Sequence, residues 1–368
     1  MGGVYRMVGA IAAAAFVATA CSGTSAPHRR AALPVTFAHP PTITITTTTG
    51  AMPASTTTTA DGPVPQVGCP PQPSPPPPTV PPWHPSVLIP DAKLPAPRPP
   101  AAWASDVDAI TGKGMWIWQW SSTEHGNADT IIARAVSAGL HQLWVRVGDS
   151  ADGFYGASVL NALVDKAHTA GLSVIAWGFP YLYDPVRDAG WTAQVLAWRS
   201  EGGAPVDGYS ADLERSTEGV AMSALRAAVY LDQVRRVAGG RLIVATVYPP
   251  LDQYWAGAYP YATMATYVDA FAPMEYWECV DPGADAVQAL ARLGTLRPVH
   301  LIGQAFNMAD SGGRRPPPSG AEISRFLDVG RRSGALGASF WVWQTAVDDE
   351  WRAITAYPWH VGVRANQG

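Results

Sequence analysis

The chain has 368 residues, of which 47% are hydrophobic and 15% are charged, and its formal net charge is −4. This mildly acidic balance, without a basic run interleaved with aromatic residues, argues against a nucleic-acid partner. The 35 prolines concentrate before residue 101, so only the remaining length, roughly that of one barrel-sized domain, can form a packed core.

Residues 1–20 have the features of an export signal. Arg6 precedes an uncharged apolar run that is too short to span a membrane comfortably. The run ends in Ala18-Thr19-Ala20-Cys21, and small residues directly before a cysteine resemble a bacterial lipobox. That resemblance implies that Cys21 is lipid-modified and anchors the exported chain to the outer face of the cell membrane. A plain secretory signal cut nearby is the alternative.

Residues 21–100 have the composition of a linker. Threonine runs at 46–49 and 56–59 and a proline run at 75–78 cannot bury a core and favour an extended spacer. Besides Cys21, the chain has only Cys69, in this spacer, and Cys279. Because an exported protein meets an oxidising environment, these two could form a disulfide. The folded domain is expected over 101–368.

From residue 103 onward, strand-like and helix-like apolar patterns alternate. The predicted strands are 114–120, 141–147, 172–179, 206–214, 241–248, 269–277, 298–306 and 336–344. The predicted helices are 129–138, 159–170, 191–200, 220–238, 261–267, 284–293 and 321–332. Eight strands that alternate with helices over this length predict a closed (β/α)8 barrel. A doubly wound sheet competes, but no Gly-rich phosphate loop follows the first strand.

The fourth predicted strand has an unusual polar face. Alternation places Ser210, Asp212 and Glu214 together, opposite an apolar face. Buried parallel strands are ordinarily apolar on both faces, so this pattern indicates a site at the carboxyl end of the strand. Glycoside hydrolysis needs a proton donor and a group that stabilises positive charge. Two neighbouring carboxylates suit this reaction, because their like charges raise the proton affinity of at least one of them.

The other strand ends carry aromatic and polar residues, as a carbohydrate cleft would. Indole and phenol rings stack on sugar faces, and polar groups bind the hydroxyls. The candidate substrate-binding residues are Trp118, Arg146, Trp177, Tyr248, Glu275, Tyr276, Trp277, Gln304 and Trp343. The carboxylate that partners Glu214 is left open among Asp212, Glu275, Glu278 and Asp149. Alternation turns Glu275 away from the mouth unless a bulge reverses it.

The stretch from Asp207 to Glu214, Asp-Gly-Tyr-Ser-Ala-Asp-Leu-Glu, resembles the fourth-strand signature of family 18 glycoside hydrolases, which include chitinases, in the spacing of its Asp-Gly and Asp-x-Glu. The resemblance implies that Glu214 is the proton donor and that Asp212 orients an acetamido group. Met274-Glu275-Tyr276 is similar to that family's sixth-strand motif, in which the tyrosine holds the same group.

The last predicted strand carries Phe340-Trp341-Val342-Trp343, which looks like the same family's eighth-strand region, the floor for the sugar. Two residues depart from the family pattern: Ser210 replaces an inner Asp, and Trp277 stands where Asp or Asn is common. The chain is more distantly similar to family 25 barrels, although its first strand lacks their Asp. It also looks like glycoside-hydrolase-like barrels of actinobacterial type.

Other chemistries lack their residue patterns. The histidines show no ligand spacing, so we expect neither a metal nor a cofactor. No G-x-S-x-G elbow is present, and no histidine is near Cys279 in sequence to activate a thiol. The sequence therefore predicts a monomeric, exported, lipid-anchored glycosidase that acts on a cell-envelope or environmental polysaccharide. A glycan-binding protein without turnover is the alternative, and an envelope scaffold without a sugar ligand is a third.

Overall fold

The structure, a computed structural model, describes residues 88–98, 106–308 and 314–359; Cys21, Cys69 and the predicted signal peptide lie outside these ranges. The strands are β1 (Gly112–Ile117), β2 (Gln142–Asp149), β3 (Gly153–Phe154), β4 (Ser173–Phe179), β5 (Gly208–Asp212), β6 (Leu242–Val247), β7 (Ala270–Glu275), β8 (His300–Gln304) and β9 (Gly337–Trp341). The α-helices are α1 (Ala128–Ser137), α2 (Ala157–Thr169), α3 (Pro185–Ala197), α4 (Ala224–Ala238), α5 (Tyr261–Ala265), α6 (Pro282–Leu293), α7 (Gly320–Arg332) and α8 (Asp348–Ala356).

Eight parallel strands form a closed barrel. The strand β2 pairs with β1 and β4, the remaining strands follow in chain order, and β9 returns to pair with β1. At the closing seam Gly112 lies opposite Gly337, and Met115 lies opposite Phe340. The short strand β3 pairs antiparallel with the end of β2 and stands outside the barrel. The predicted (β/α)8 fold is confirmed.

Several element boundaries differ from the predicted ones because side chains cap the helices. The helix α3 begins earlier than predicted, since Asp184 accepts the backbone N–H of Arg187 and Pro185 takes the first helical position. The helix α4 begins later than predicted, since Ser223 caps it. The strand β3 and the helix α8 have no counterpart among the predicted elements.

Tryptophan rings fill the barrel lumen. The ring of Trp116 stacks on Trp144 at a centroid distance of 4.8 Å and lies 5.4 Å from Trp177. All three rings are at most 1% exposed. Next to them, a Cβ at Gly114 would lie 2.9 Å from the indole nitrogen of Trp144, so only glycine fits there. The lumen is a packed core up to the mouth.

Aspartates fasten the amino-terminal ends of two strands. Asp207 Oδ2 accepts the backbone N–H of Val174 at 2.7 Å and lies 2.8 Å from His168 Nε2. Asp269, which precedes β7, likewise accepts the N–H of Ile243 at 2.8 Å. Asp207 therefore holds the bottom of the barrel, at the opposite end of β5 from the acidic pair.

Lys113 closes the same end of the barrel. Its ammonium donates to the carbonyls of Ala138, Ile354 and Tyr357 at 3.0, 2.5 and 2.9 Å. Lys113→Met is expected to lower the free energy of unfolding by roughly 2–4 kcal/mol, because these carbonyls lose their donor. Denaturant unfolding measures the change. Lys166→Met, at a half-exposed lysine, should change stability by less than about 0.5 kcal/mol; equal losses would contradict the assignment.

Part of the predicted linker contacts the barrel. The N–H of Ile89 donates to the carbonyl of Tyr183 at 3.1 Å. Arg226, which is buried, donates to the carbonyls of Ile89 and Leu182 and pairs with Asp91 at 2.8 Å. Ile89 thus lies against the loop that follows β4, and Asp91 against α4. Within the described ranges, no helix has the length and apolar character needed to cross a membrane.

Candidate active site

Two buried carboxyl groups lie at the carboxyl end of β5. Asp212 is the last residue of the strand, and Glu214 lies two residues later. Their residues are 7% and 6% exposed. The opposite face of β5 packs under the helices, where the Tyr209 hydroxyl lies 3.1 Å from the Tyr230 hydroxyl. Alternation therefore directs Asp212 and Glu214 to the lumen side.

Ser210 lies below this pair on the same face. It is fully buried, and its hydroxyl lies 2.8 Å from that of Thr246 on β6. The two hydroxyls satisfy each other without a charge. Where the family pattern has an inner carboxylate beneath Asp212, this barrel has a neutral pair.

Burial and neighbouring negative charges raise the proton affinity of both carboxyls. Burial raises the pKa of Glu214 well above its ordinary value, and the negative charges of Asp212 and Glu218 raise it further. Burial also raises the pKa of Asp212 to about 7, against the opposing charge of Arg146. Among the described residues, neither Glu214 Oε2 nor Asp212 Oδ1 has a hydrogen-bond partner. A carboxyl that keeps its proton near neutral pH can serve as a general acid.

A third carboxylate, Glu218, joins the pair from the turn that follows. Its N–H donates to the carbonyl of Arg215 at 3.1 Å, and Gly219 closes the turn with a φ of 81°. Glu218 is 7% exposed and lies 3.7 Å from Arg215 Nη2. The sequence analysis missed both charged residues. The available signal was an oppositely charged pair three residues apart, directly after the acidic strand.

Arg146 of β2 forms another side of the mouth. It donates to Asp149 Oδ2 at 3.0 Å and to the Tyr155 hydroxyl at 2.8 Å, and its guanidinium lies 5.0 Å from the centroid of Trp177. Trp177 is fully buried. It supports Arg146 from below and exposes no face to a sugar, which corrects its assignment as a platform.

Two half-buried tryptophans remain at the mouth. The ring centroids of Trp118 and Trp341 are 6.0 Å apart, above the buried lumen rings. Trp343 is only 3% exposed, because its indole N–H donates to Glu124 and its ring packs 4.7 Å from Trp351. The predicted platform at Trp343 is therefore replaced by Trp341, since the chain turns away after β9.

Tyrosines surround the two carboxyls. Burial, followed by the charges of Asp212 and Glu214, raises the pKa of Tyr276 well above its usual range. Burial raises the pKa of Tyr181 to about 12, and the same charges contribute. The Tyr248 hydroxyl interacts with the Glu214 carboxyl from β6. These phenols are neutral hydrogen-bonding groups at any ordinary pH.

Two predicted substrate contacts face outward from β7. Glu275 is 1% exposed, and neither of its oxygens has a hydrogen-bond partner among the described residues. Trp277 is equally buried and packs 5.1 Å from Phe326 of α7. Alternation turns both away from the mouth, so neither Glu275 nor Trp277 can contact a substrate there.

Gln304 is fully buried at the end of β8, and its side chain supports a loop. Its side chain accepts the N–H of Glu278 at 2.9 Å and donates to the carbonyl of Phe306 at 2.9 Å. These bonds fix the loop after β7.

Cys279, which follows Glu278 in the same loop, is disulfide-bonded and so is not a free thiol nucleophile. Its predicted partner, Cys69, lies outside the described ranges.

The stability of the protein is expected to depend on Glu275 through pH. Burial, with Asp285 nearby, raises the pKa of Glu275 well above its ordinary value. The native state thus holds a proton that the unfolded chain releases above about pH 4.3, and stability falls as pH rises from there. Glu275→Gln should flatten this fall and be more stable than the native sequence at pH 8. Denaturant unfolding between pH 4 and 8 measures both slopes, and parallel slopes would contradict the prediction.

Among the described residues, no group of three His, Cys, Asp or Glu side chains could hold a metal ion. The site brings together charged and hydrogen-bonding side chains: Asp212, Glu214, Glu218, Arg146, Arg215 and the aromatic residues around them.

Solved structures that resemble the chain are chitinases and other glycoside hydrolases. A class V chitinase from Pseudomonas fluorescens is 14% identical over 66% of this chain and 98% of its own, with a TM-score of 0.49. A chitinase from Chromobacterium violaceum is 8% identical over 66% and 98%, with a TM-score of 0.48. A spore cortex-lytic enzyme from Bacillus megaterium is 9% identical over 66% and 73%, with a TM-score of 0.46.

No protein-family model and no curated protein matches the chain. Identities this low, with TM-scores below 0.5, transfer no activity from those enzymes to this chain.

Proposed function

We propose that the chain is a glycoside hydrolase whose general acid is Glu214. The observation that carries this proposal is the pair of buried carboxyl groups on one strand face at the mouth of the barrel, where burial raises the pKa of both. Glycosidic bonds break when such a group protonates the leaving oxygen while negative charge faces the anomeric carbon.

In the reaction, Glu214 gives its proton to the oxygen between two sugars, and the bond from that oxygen to the anomeric carbon breaks. Water adds its oxygen to that carbon and releases a proton to a carboxylate, so charge and atoms balance. Asp212 stabilises the positive charge that develops at the carbon, because its carboxyl points into the same space. Tyr276 and Tyr181 hydrogen-bond the sugar.

The rim suits a carbohydrate. Trp118 and Trp341 keep part of their rings open at the mouth, and indole faces stack on the C–H faces of sugars. Arg146 and Asp149 offer charged hydrogen-bonding groups to hydroxyls on the other side. The substrate proposed is a polysaccharide of the cell envelope or the environment.

We further propose that the chain is exported and anchored through a lipid on Cys21, with residues 21–100 as the spacer that holds a monomeric barrel away from the membrane. The support is the sequence of the first 100 residues. Metabolic labelling with a fatty-acid analogue, compared between the native chain and Cys21→Ser, tests the anchor. Equal labelling would contradict it.

The hydrolase proposal is tested by incubating the purified protein with soluble polysaccharides and measuring new reducing ends and shortened products. At least one glycan should be cleaved. Because Ser210 leaves the site without an inner carboxylate, a glycan-binding protein is the second candidate. It would retain oligosaccharides in a pull-down without shortening them.

A further inference from the structure

Glu218, which is buried, lies in the turn that follows the acidic pair. It is carried by a tight turn, in which the carbonyl of Arg215 accepts both the N–H of Glu218 and that of Val220 at 3.1 Å. The turn folds Glu218 back over the residue that directly follows Glu214. Arg215 and Glu218, which carry opposite charges, both act electrostatically on the proton donor.

Arg215 packs against two aromatic rings. Its guanidinium lies 4.0 Å from the centroid of Tyr248 and 4.9 Å from that of Tyr254, so two aromatic faces fix the cation. Its side chain is 13% exposed, and Glu218 Oε1 lies 3.7 Å from its Nη2. The Tyr248 hydroxyl in turn interacts with the carboxyls of both Glu214 and Glu218.

A buried cation next to a carboxyl favours the ionised form of that carboxyl. Without Glu218, the positive charge of Arg215 would favour the ionised form of Glu214, which has no proton to give. Glu218 supplies the compensating negative charge. The turn therefore places Glu218 as the partner of Arg215, so that the proton stays on Glu214.

We propose that Glu218 is a positioning residue for the reaction: through Arg215 and Tyr248 it holds the Glu214 carboxyl in place and keeps the transferable proton on it. This rests on the proposed function, in which Glu214 is the general acid. Glu218 itself touches neither the substrate nor the leaving oxygen.

Other groups also face the donor, and their contributions must stay constant in the test. They are Asp212 from β5, Arg215 from the turn, Tyr248 from β6, Tyr259 from the segment before α5, Tyr276 from the loop after β7 and Tyr181 from the loop after β4. Arg146 acts on Asp212 from β2. The substitution Glu218→Gln changes none of these side chains and removes only one charge.

The kinetic test compares the native protein with Glu218→Gln on a glycan that the native protein cleaves. The alkaline limb of the pH–kcat profile should move to lower pH, and kcat at neutral pH should fall by about 10- to 100-fold with KM unchanged. Glu218→Asp keeps the charge and should restore part of both effects. Glu201→Gln, at an exposed residue, should change neither.

A second readout does not need turnover. NMR of isotope-labelled glutamate carboxyls follows the titration of Glu214, whose signal Glu214→Gln removes. Glu218→Gln should move that titration to lower pH, and Glu218→Asp should move it less. An unmoved titration would overturn the role of Glu218. If the native protein cleaves no glycan, the proposed function fails, while the NMR titration still decides whether Glu218 controls the proton.

Discussion

Glu214→Gln is expected to lower kcat by about 10²–10⁴-fold, the usual contribution of a general acid. Glutamine has the shape of the protonated carboxyl but has no proton to transfer to the leaving oxygen. Because burial raises the pKa of Glu214 well above its ordinary value, an uncharged glutamine should not disturb the fold. The initial rate of reducing-end release from a cleaved glycan measures the loss.

Glycan binding should survive this substitution, since uncharged glutamine keeps the hydrogen-bonding capacity of the site. The affinity of Glu214→Gln for an oligosaccharide, measured by calorimetry, should stay within about threefold of the native value, a small free-energy change. The exposed substitution Glu201→Gln serves as the control for activity. Full activity in Glu214→Gln would mean that another group donates the proton.

Arg314→Met is expected to lower the free energy of unfolding by roughly 3–5 kcal/mol, because it leaves the Glu322 charge buried without its partner. The two side chains are each 1% exposed, and Arg314 donates to both oxygens of Glu322, at 2.5 and 2.9 Å. It also donates to the carbonyl of Glu278 at 2.8 Å, which joins α7 to the loop after β7. Denaturant unfolding measures the loss.

A double-mutant cycle separates the ion pair from simple packing. Arg314→Met with Glu322→Met should be more stable than the sum of the two single losses implies, because no charge is then left unpaired. On the same helix, Arg332 and Asp328 form an exposed pair, so Arg332→Met should cost less than about 1 kcal/mol. Additive losses at Arg314 and Glu322 would contradict the ion-pair account.

The fold was predictable from sequence because the eight barrel strands and seven of the helices carry their own periodicity, whereas β3 and α8 were not predicted. The polar face of β5 was predictable for the same reason, since two-residue alternation follows from backbone geometry. This alternation places Asp212 and Glu214 on the lumen side and turns Glu275 outward. These are consequences of local patterns that no distant contact overrides.

The remaining site residues depend on contacts that a linear pattern does not contain. Trp341 and Trp343 are two residues apart, so alternation places both on the same face of the strand. Only the turn after β9 decides which ring stays at the mouth. Gln304 lies at a strand end, but its amide oxygen accepts the backbone N–H of Glu278. Glu218 lies in a loop with no periodicity, and the tight turn alone brings it back to Glu214.

The pairing of β1 with β9 determines when the barrel can close during synthesis of the chain. It joins Gly112 to Gly337, so barrel closure waits for nearly the whole chain. Until then β1 and β8 are open edges, which invite pairing with other chains, and such distant contacts form slowly. The barrel of this chain therefore cannot close while its last strand is still being synthesised.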